Sequence, residues 1–279
     1  MSSLLSASQI PYLKAVNAIR ANYITGCNND DSICAVRARG LCWAEGMADS
    51  SEGHFHPTAH PGVLEAVRRL RKPRVIAWNF DGDAWCKGVE PEWRRDMFAV
   101  VTDNPQHQHI FLTKAYRLHH VSTEADPVHI ALFRPNCWFG YSITQNEEST
   151  RWAEGPTFCN RWVSFEPILG PFNKEHIREG LEIVGVSFIV IGGLSDGNRR
   201  IIPPAEGGTR AEWIQPILDA AAEAGCRIYC KNLSGIWRDL VNPRTGKPMT
   251  GPRELRETPS EWTLPADPTP AAKGAMSDE

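Results

Sequence analysis

The chain has 279 residues, enough to bury a sizeable core as one large α/β domain or two small ones. Its formal net charge of −3 at pH 7 excludes a general attraction to nucleic acid or anionic membrane, so only a local basic patch would carry such contacts. No apolar run approaches the ~20 residues of a membrane-spanning helix, and no basic-then-apolar leader opens the chain; a cytoplasmic location with reduced thiols is expected.

Short β-branched or aromatic runs alternate with helical patterns along the chain. Strands are expected at 23–26, 75–79, 109–113, 138–143, 162–165, 188–191 and 227–230, and helices at 62–70, 91–103, 145–154, 174–182 and 211–224. The last helix, AEWIQPILDAAAEAG, has the clearest apolar spacing, with Gly225 as its stop. Pro216 inside it predicts a later start or a kink. Strands alternating with helices predict parallel βαβ units, hence an α/β fold built as a full or partial (β/α) barrel over residues 1–241. From Asn242 the composition turns to Pro, Thr, Gly and charge. Residues 242–279 therefore read as a C-terminal extension whose end, TLPADPTPAAKGAMSDE, is expected to be disordered.

Eight cysteines are present, and Cys27, Cys34 and Cys42 share one stretch, GCNNDDSICAVRARGLCW, directly after the first expected strand. Three thiolates fall one short of a closed zinc site, and disulfides use cysteines in pairs. Three sulfurs can instead hold three irons of a four-iron cluster and leave the fourth iron open. On the residues alone, zinc completed by His54, His56 or His60 stands beside that reading. Cys86, Cys137, Cys159, Cys226 and Cys230 read as small buried hydrophobes. The run RRLRKPR, 68–74, is either a solvated helix end or a phosphate contact.

In a barrel the chemistry sits at the C-terminal ends of the strands. Here those ends are Cys27, Asp81 and Asp83, Lys114, Ser142, Glu166, Gly192-Gly193 and Lys231. Carboxylates there accept hydrogen bonds from a ligand, or pair with Lys114 or Lys231 across the mouth. The lysines suit an anion or the same ion pairs. The glycine pair permits close backbone approach or is a plain turn.

The same residues carry a resemblance. The segments TGC, CWAEGMA, His60-Pro61, KPRVI, PQHQHIFLTK, NCWFGYSITQNEE, RWVSFEPILGP, FIVIGG and CRIYCKN, in order from Tyr23 to about Trp237, resemble a mostly uncharacterised, often phage-encoded family similar to the radical S-adenosylmethionine (SAM) enzymes. The resemblance implies a barrel of the radical SAM type. It implies a [4Fe–4S] cluster on Cys27, Cys34 and Cys42, with SAM completing the open iron. Reductive cleavage of SAM would then yield a radical that abstracts hydrogen from an unknown substrate, a nucleotide or nucleic acid being the first guess. Asp83, Ser142, Glu166, Gly192 and Gly193 would contact SAM or substrate, and Lys114 and Lys231 would take catalytic positions. An external electron donor such as flavodoxin or ferredoxin would be the partner. The spacing departs from the radical SAM pattern: six residues separate Cys27 from Cys34, and seven separate Cys34 from Cys42. A barrel serving only as a binding module is the third class of reading.

Overall fold

The computed structural model describes residues 5–29, 34–42, 44–46, 55–115, 134–146, 160–196, 200–231 and 233–263. Strands β1 (Ser6–Ala7) and β2 (Ile19–Ala21) flank helix α1 (Pro11–Ala15). A hairpin of β3 (Ile24–Thr25) and β4 (Thr58–Ala59) follows, with α2 (Ala35–Ala38) between its strands in sequence. Next come α3 (Pro61–Arg68), β5 (Val75–Trp78), α4 (Pro91–Asp103), β6 (Gln108–Thr113), β7 (Cys137–Ile143) and β8 (Asn160–Phe165). Then α5 (Lys174–Val184), β9 (Val186–Ile191), α6 (Ala211–Glu223) and β10 (Arg227–Cys230) lead to a C-terminal hairpin, β11 (Val241–Asn242) with β12 (Lys247–Pro248).

Local chemistry accounts for the helix ends. Pro91 opens α4, where its missing N–H would have been unpaired anyway. The Asn173 side chain accepts from the His176 N–H at 2.9 Å to cap α5, and Gly185 ends that helix in the left-handed region. Helix α6 starts at Ala211 with Pro216 inside it, so the later start expected from that proline is not observed. Pro216 is the sixth helical residue, past the first turn, so its missing N–H forfeits one bond within the helix. Most of the helix expected at 145–154 lies outside the described residues.

One sheet of eight strands runs β1-β2-β5-β6-β7-β8-β9-β10, with β1 antiparallel to β2 and every later pair parallel. Sequence order equals spatial order, as consecutive crossovers of one hand require. The sheet is a large, mostly parallel α/β array; among the described residues β10 does not pair with β1 or β2, so closure is not seen and the partial form of the expected barrel is the compatible one.

The first strand corrects the expectation at 23–26. Ile19–Ala21 pairs with Ile76–Trp78 and holds that place in the sheet, while Ile24–Thr25 turns away into its own hairpin. Strand β2 is three residues long and carries Arg20 in register with Ala77, so no apolar alternation marks it.

Period-two alternation divides the sheet's side chains between two cores. One side packs Ile76, Trp78, Phe111, Phe139, Val163, Phe165, Ile189 and Ile228 against α3, α4, α5 and α6. The opposite side carries Val75, Ala77, Ile110, Trp138, Trp162, Phe188, Val190 and Tyr229. It is covered by both ends of the chain: Tyr12 and Leu13 of α1, and Trp262. The Trp262 ring lies 5.3 Å from Trp138, 5.2 Å from Phe188 and 6.5 Å from Tyr12, between centroids. Gly140 makes room for the Trp162 indole, because a Cβ there would stand 2.2 Å from the ring.

The C-terminal extension is part of this body as far as residue 263. Tyr229 bridges to Arg256, and Glu257 donates its N–H to the Ile228 carbonyl at 3.0 Å while its carboxylate accepts from the Ile228 N–H at 2.8 Å. These bonds cover the outer edge of β10, which would otherwise offer unpaired backbone. Residues 264–279, where a disordered end was expected, lie outside the described residues. On the helix-facing side of β6, fully buried His109 accepts from Trp78 Nε1 at Nδ1 (3.0 Å) and donates from Nε2 to the Asn104 carbonyl (3.1 Å). Burial holds its pKa down to about 3.

Candidate functional site

Each strand's inward register changes character toward its C-terminal end. Strand β6 runs Ile110, Leu112, Lys114; β7 runs Trp138, Gly140, Ser142; β8 runs Trp162, Ser164, Glu166; β9 runs Phe188, Val190, Gly192; β10 ends Tyr229, Lys231. The sheet thus has an aromatic floor and a polar rim, and the rim holds the residues singled out from the sequence.

The rim residues are linked. The Lys114 ammonium donates to Ser142 Oγ, whose hydroxyl donates to the Glu166 carbonyl at 3.1 Å. The Lys231 ammonium pairs with the Glu166 carboxylate, and both side chains keep roughly a quarter of their surface in solvent, at 20% and 28%. Gly192 fits against that pair. A Cβ on it would stand 2.7 Å from the Glu166 carboxyl carbon, so the first glycine of the pair leaves space for a carboxylate. Gly193 is near Ile201 and Thr209, and Leu194 donates its N–H to Thr209 Oγ1 at 2.9 Å. The ion pair weighed against a ligand role is therefore present for Glu166 and Lys231.

Asp83 is different. It is 5% exposed and has no ion pair among the described residues, yet its carboxylate accepts from Thr113 Oγ1 (2.7 Å), the Lys114 N–H (2.9 Å), Asn29 Nδ2 (2.9 Å), the Trp85 N–H (3.0 Å) and the Ala115 N–H (3.3 Å). A carboxylate offers about four lone-pair positions, so these donors occupy it. In this geometry Asp83 ties the loops after β3, β5 and β6 to one another. Asp81 pairs with Arg20 at 3.1 Å and also accepts from Asn22. Burial raises its pKa, and Arg20 opposes the shift.

The cysteine loop enters through two glycines. Gly26 and Gly82 form a parallel bridge, and the Asp83 N–H reaches the Gly26 carbonyl at 3.3 Å. A Cβ on Gly82 would stand 2.6 Å from that same oxygen. This approach brings Cys27 beside Cys86, for the consecutive N–H groups of Asn28 and Asn29 donate to Cys86 Sγ and Cys27 Sγ. The neighbouring Cys86 thiol, then burial and the Asp83 charge, pushes the Cys27 thiol far up, against a smaller opposing effect of the Asn29 N–H. Burial also pushes up the Cys42 thiol, which lies within electrostatic reach of Cys34. Arg37 ion-pairs with Glu45 at 3.0 Å and feels both Cys27 and Cys42.

Among the described residues no three His, Cys, Asp or Glu side chains converge as a metal site. Residues 30–33 and 43, and His54, are not described. His56 Nδ1 lies 3.1 Å from Asn28 Oδ1, and His60 Nε2 lies 2.8 Å from Thr25 Oγ1. Burial pushes Cys226 and Cys230 up to about 12, in keeping with an apolar packing role; Cys159 is not described. Sequence reasoning missed Arg20, Asn29, Thr113 and, above all, Cys86 as the neighbour of Cys27. The only signal for Cys86 was its place three residues after a strand-end aspartate.

Likeness to known proteins covers this whole arrangement. The model of a family described as "Protein of unknown function (DUF5131)" matches residues 8–261. The chain belongs to this family. The match spans the DUF5131 chain from α1 almost to Trp262, so the rim, the cysteine loop and the floor apart from Trp262 fall inside it. No curated protein and no solved structure matches significantly.

Proposed function

We propose that this DUF5131 protein is a radical SAM-type enzyme, with Cys27, Cys34 and Cys42 as the ligands of a [4Fe–4S] cluster. The observation that carries the reading is the polar rim of Asp83, Lys114, Ser142, Glu166 and Lys231 at one end of a sequentially wound parallel sheet, joined by hydrogen bonds to a loop with three thiols. The donor chemistry fits the group, since cysteine sulfurs are what such clusters take. When bound, the cluster and SAM supply reductive cleavage of a carbon–sulfur bond and hydrogen abstraction.

The chain's own residues bind and orient. Lys114 and Lys231 offer ammonium groups to an anionic group of SAM or substrate, and Glu166 offers a carboxylate to a hydroxyl or ammonium. Ser142 holds Lys114 in place, while Asp83 fixes the backbone that presents both Lys114 and the cysteine loop. The aromatic floor keeps water from entering below. A nucleotide or nucleic acid is the proposed substrate, in a phage-associated and cytoplasmic setting, with flavodoxin or ferredoxin as electron donor. Among the described residues no helix is long and apolar enough to cross a membrane.

Anaerobic reconstitution with iron and sulfide tests the reading. It expects about four irons per chain, as the cluster type requires, visible absorption that bleaches on reduction, and release of 5′-deoxyadenosine from SAM. Cys34→Ala should abolish cluster and release together. A chain that takes up one zinc and no iron would instead be the structural zinc protein. One observation favours that second reading: Cys86 sets a fourth thiol beside the loop, where its Sγ accepts from the Asn28 N–H at 3.4 Å.

A further inference from the structure

Cys86 has no place in the rim chemistry, yet the fold takes some trouble to bring it to Cys27. Gly82 meets Gly26 backbone to backbone because a Cβ on Gly82 would stand 2.6 Å from the Gly26 carbonyl oxygen, while a Cβ on Gly26 would run into the His56 carbonyl at 2.1 Å. Asn29 Nδ2 and the Asp83 N–H stitch the two loops on either side of that meeting. Consecutive backbone N–H groups then serve the two sulfurs: Asn28 donates to Cys86 Sγ at 3.4 Å and Asn29 to Cys27 Sγ at 3.3 Å. Two neighbouring N–H donors thus hold the two sulfurs side by side. They differ in access, for Cys27 is partly exposed while Cys86 is only 3% exposed.

We infer that Cys27 and Cys86 form a reversible disulfide, made by exchange with a low-molecular-weight disulfide such as glutathione disulfide. Cys27, the more accessible of the two thiols, meets the small disulfide first, and its proton leaves as its sulfur attacks, a step that the burial around it slows. A mixed disulfide forms at Cys27, and one glutathione thiol leaves with the Cys27 proton. The Cys86 sulfur then displaces the second glutathione, which takes the Cys86 proton. Two protein S–H bonds and one S–S bond are exchanged for one protein S–S bond and two glutathione S–H bonds, so atoms and electrons balance. The placement of both sulfurs on consecutive N–H groups removes most of the search. The bond takes Cys27 out of any metal-ligand set, so oxidation and metal loading exclude each other. The inference rests on the thiol geometry alone and stands or falls apart from the metal reading.

The test uses the full chain, stripped with a chelator, incubated with glutathione disulfide, alkylated and mapped as peptides without reduction. A Cys27–Cys86 linkage is expected as the principal disulfide, and dithiothreitol should reverse it. Cys86→Ser should halt at a single glutathione on Cys27, with an unchanged far-ultraviolet spectrum. Finding both thiols alkylated in the wild-type chain, or Cys27 linked chiefly to Cys34 or Cys42, would overturn the inference. The wild-type map decides it even if the variant folds poorly.

Discussion

The floor and the rim of the same sheet face are built from the same strands, two residues apart, and do opposite work. At the floor, Trp138, Trp162, Phe188 and Tyr229 close on Tyr12 and Trp262, with the Trp138 and Trp262 indole N–H groups buried among the rings and without a partner among the described residues. At the rim, Lys114, Glu166 and Lys231 are partly open and are joined, with the buried Ser142, by charge and hydrogen bonds. Burial of an aromatic side chain stabilises by several kcal/mol, whereas a partly solvated ion pair contributes about 1 kcal/mol or less. The fold is therefore held by the floor, which leaves the rim free to carry chemistry.

Four measurements sharpen or break that contrast. Trp262→Ala should cost about 3–5 kcal/mol in denaturant-midpoint experiments, the largest effect of the set, because it opens the floor at its centre. A loss under about 1 kcal/mol would mean that the floor is not what holds the sheet. Asp83→Asn should cost about 2–3 kcal/mol: one oxygen becomes a donor facing other donors, so this rim residue behaves like core. If stability is unchanged and only SAM binding falls, Asp83 is a ligand residue and not a tie between loops.

The third measurement concerns His109, whose partners fix a neutral ring. Its folded pKa, about 3, lies below the ordinary value of 6.5, so its contribution is fully present above 6.5 and is lost as pH falls toward 3. One proton changes stability by about 1.4 kcal/mol per pH unit, or about 2 kcal/mol between pH 6.5 and 5. His109→Gln, which can still accept from Trp78 and donate to Asn104, should flatten the wild-type slope over that range. An unaltered slope would assign the acid sensitivity to other groups. The smallest effect is expected for Lys231→Met, about 1 kcal/mol or less in stability but with 5′-deoxyadenosine release lost from reconstituted protein. Full release in that variant would remove Lys231 from the proposed chemistry.

Much of the rim is legible in the sequence, because Lys114, Ser142, Glu166 and Lys231 each follow an apolar run, and parallel strands align their ends. The α4 bounds, 91–103, are legible for a similar reason: Pro91 sits where a helix tolerates it and apolar residues follow at helical spacing. Strand β2 is not, since three residues with an inward arginine show no alternation. Trp262 is hidden within a proline-rich stretch whose composition suggests solvent, although its indole is fully buried. The Cys27–Cys86 contact is hidden as well. It depends on two glycines 56 positions apart meeting across the sheet's edge, and no local pattern encodes that.

The ring contact between Tyr12 and Trp262 has a consequence for how the protein is made. A residue near the start of the chain waits for one near its end, so a nascent chain emerging from the ribosome carries an uncovered aromatic surface through nearly the whole of synthesis. Such surface invites association with other chains until it is covered. Translation stopped at residue 241, where composition alone would draw a boundary, would release a complete set of parallel strands with that surface still bare. Such a fragment should need a chaperone or precipitate, whereas the chain extended to residue 263 completes its own cover.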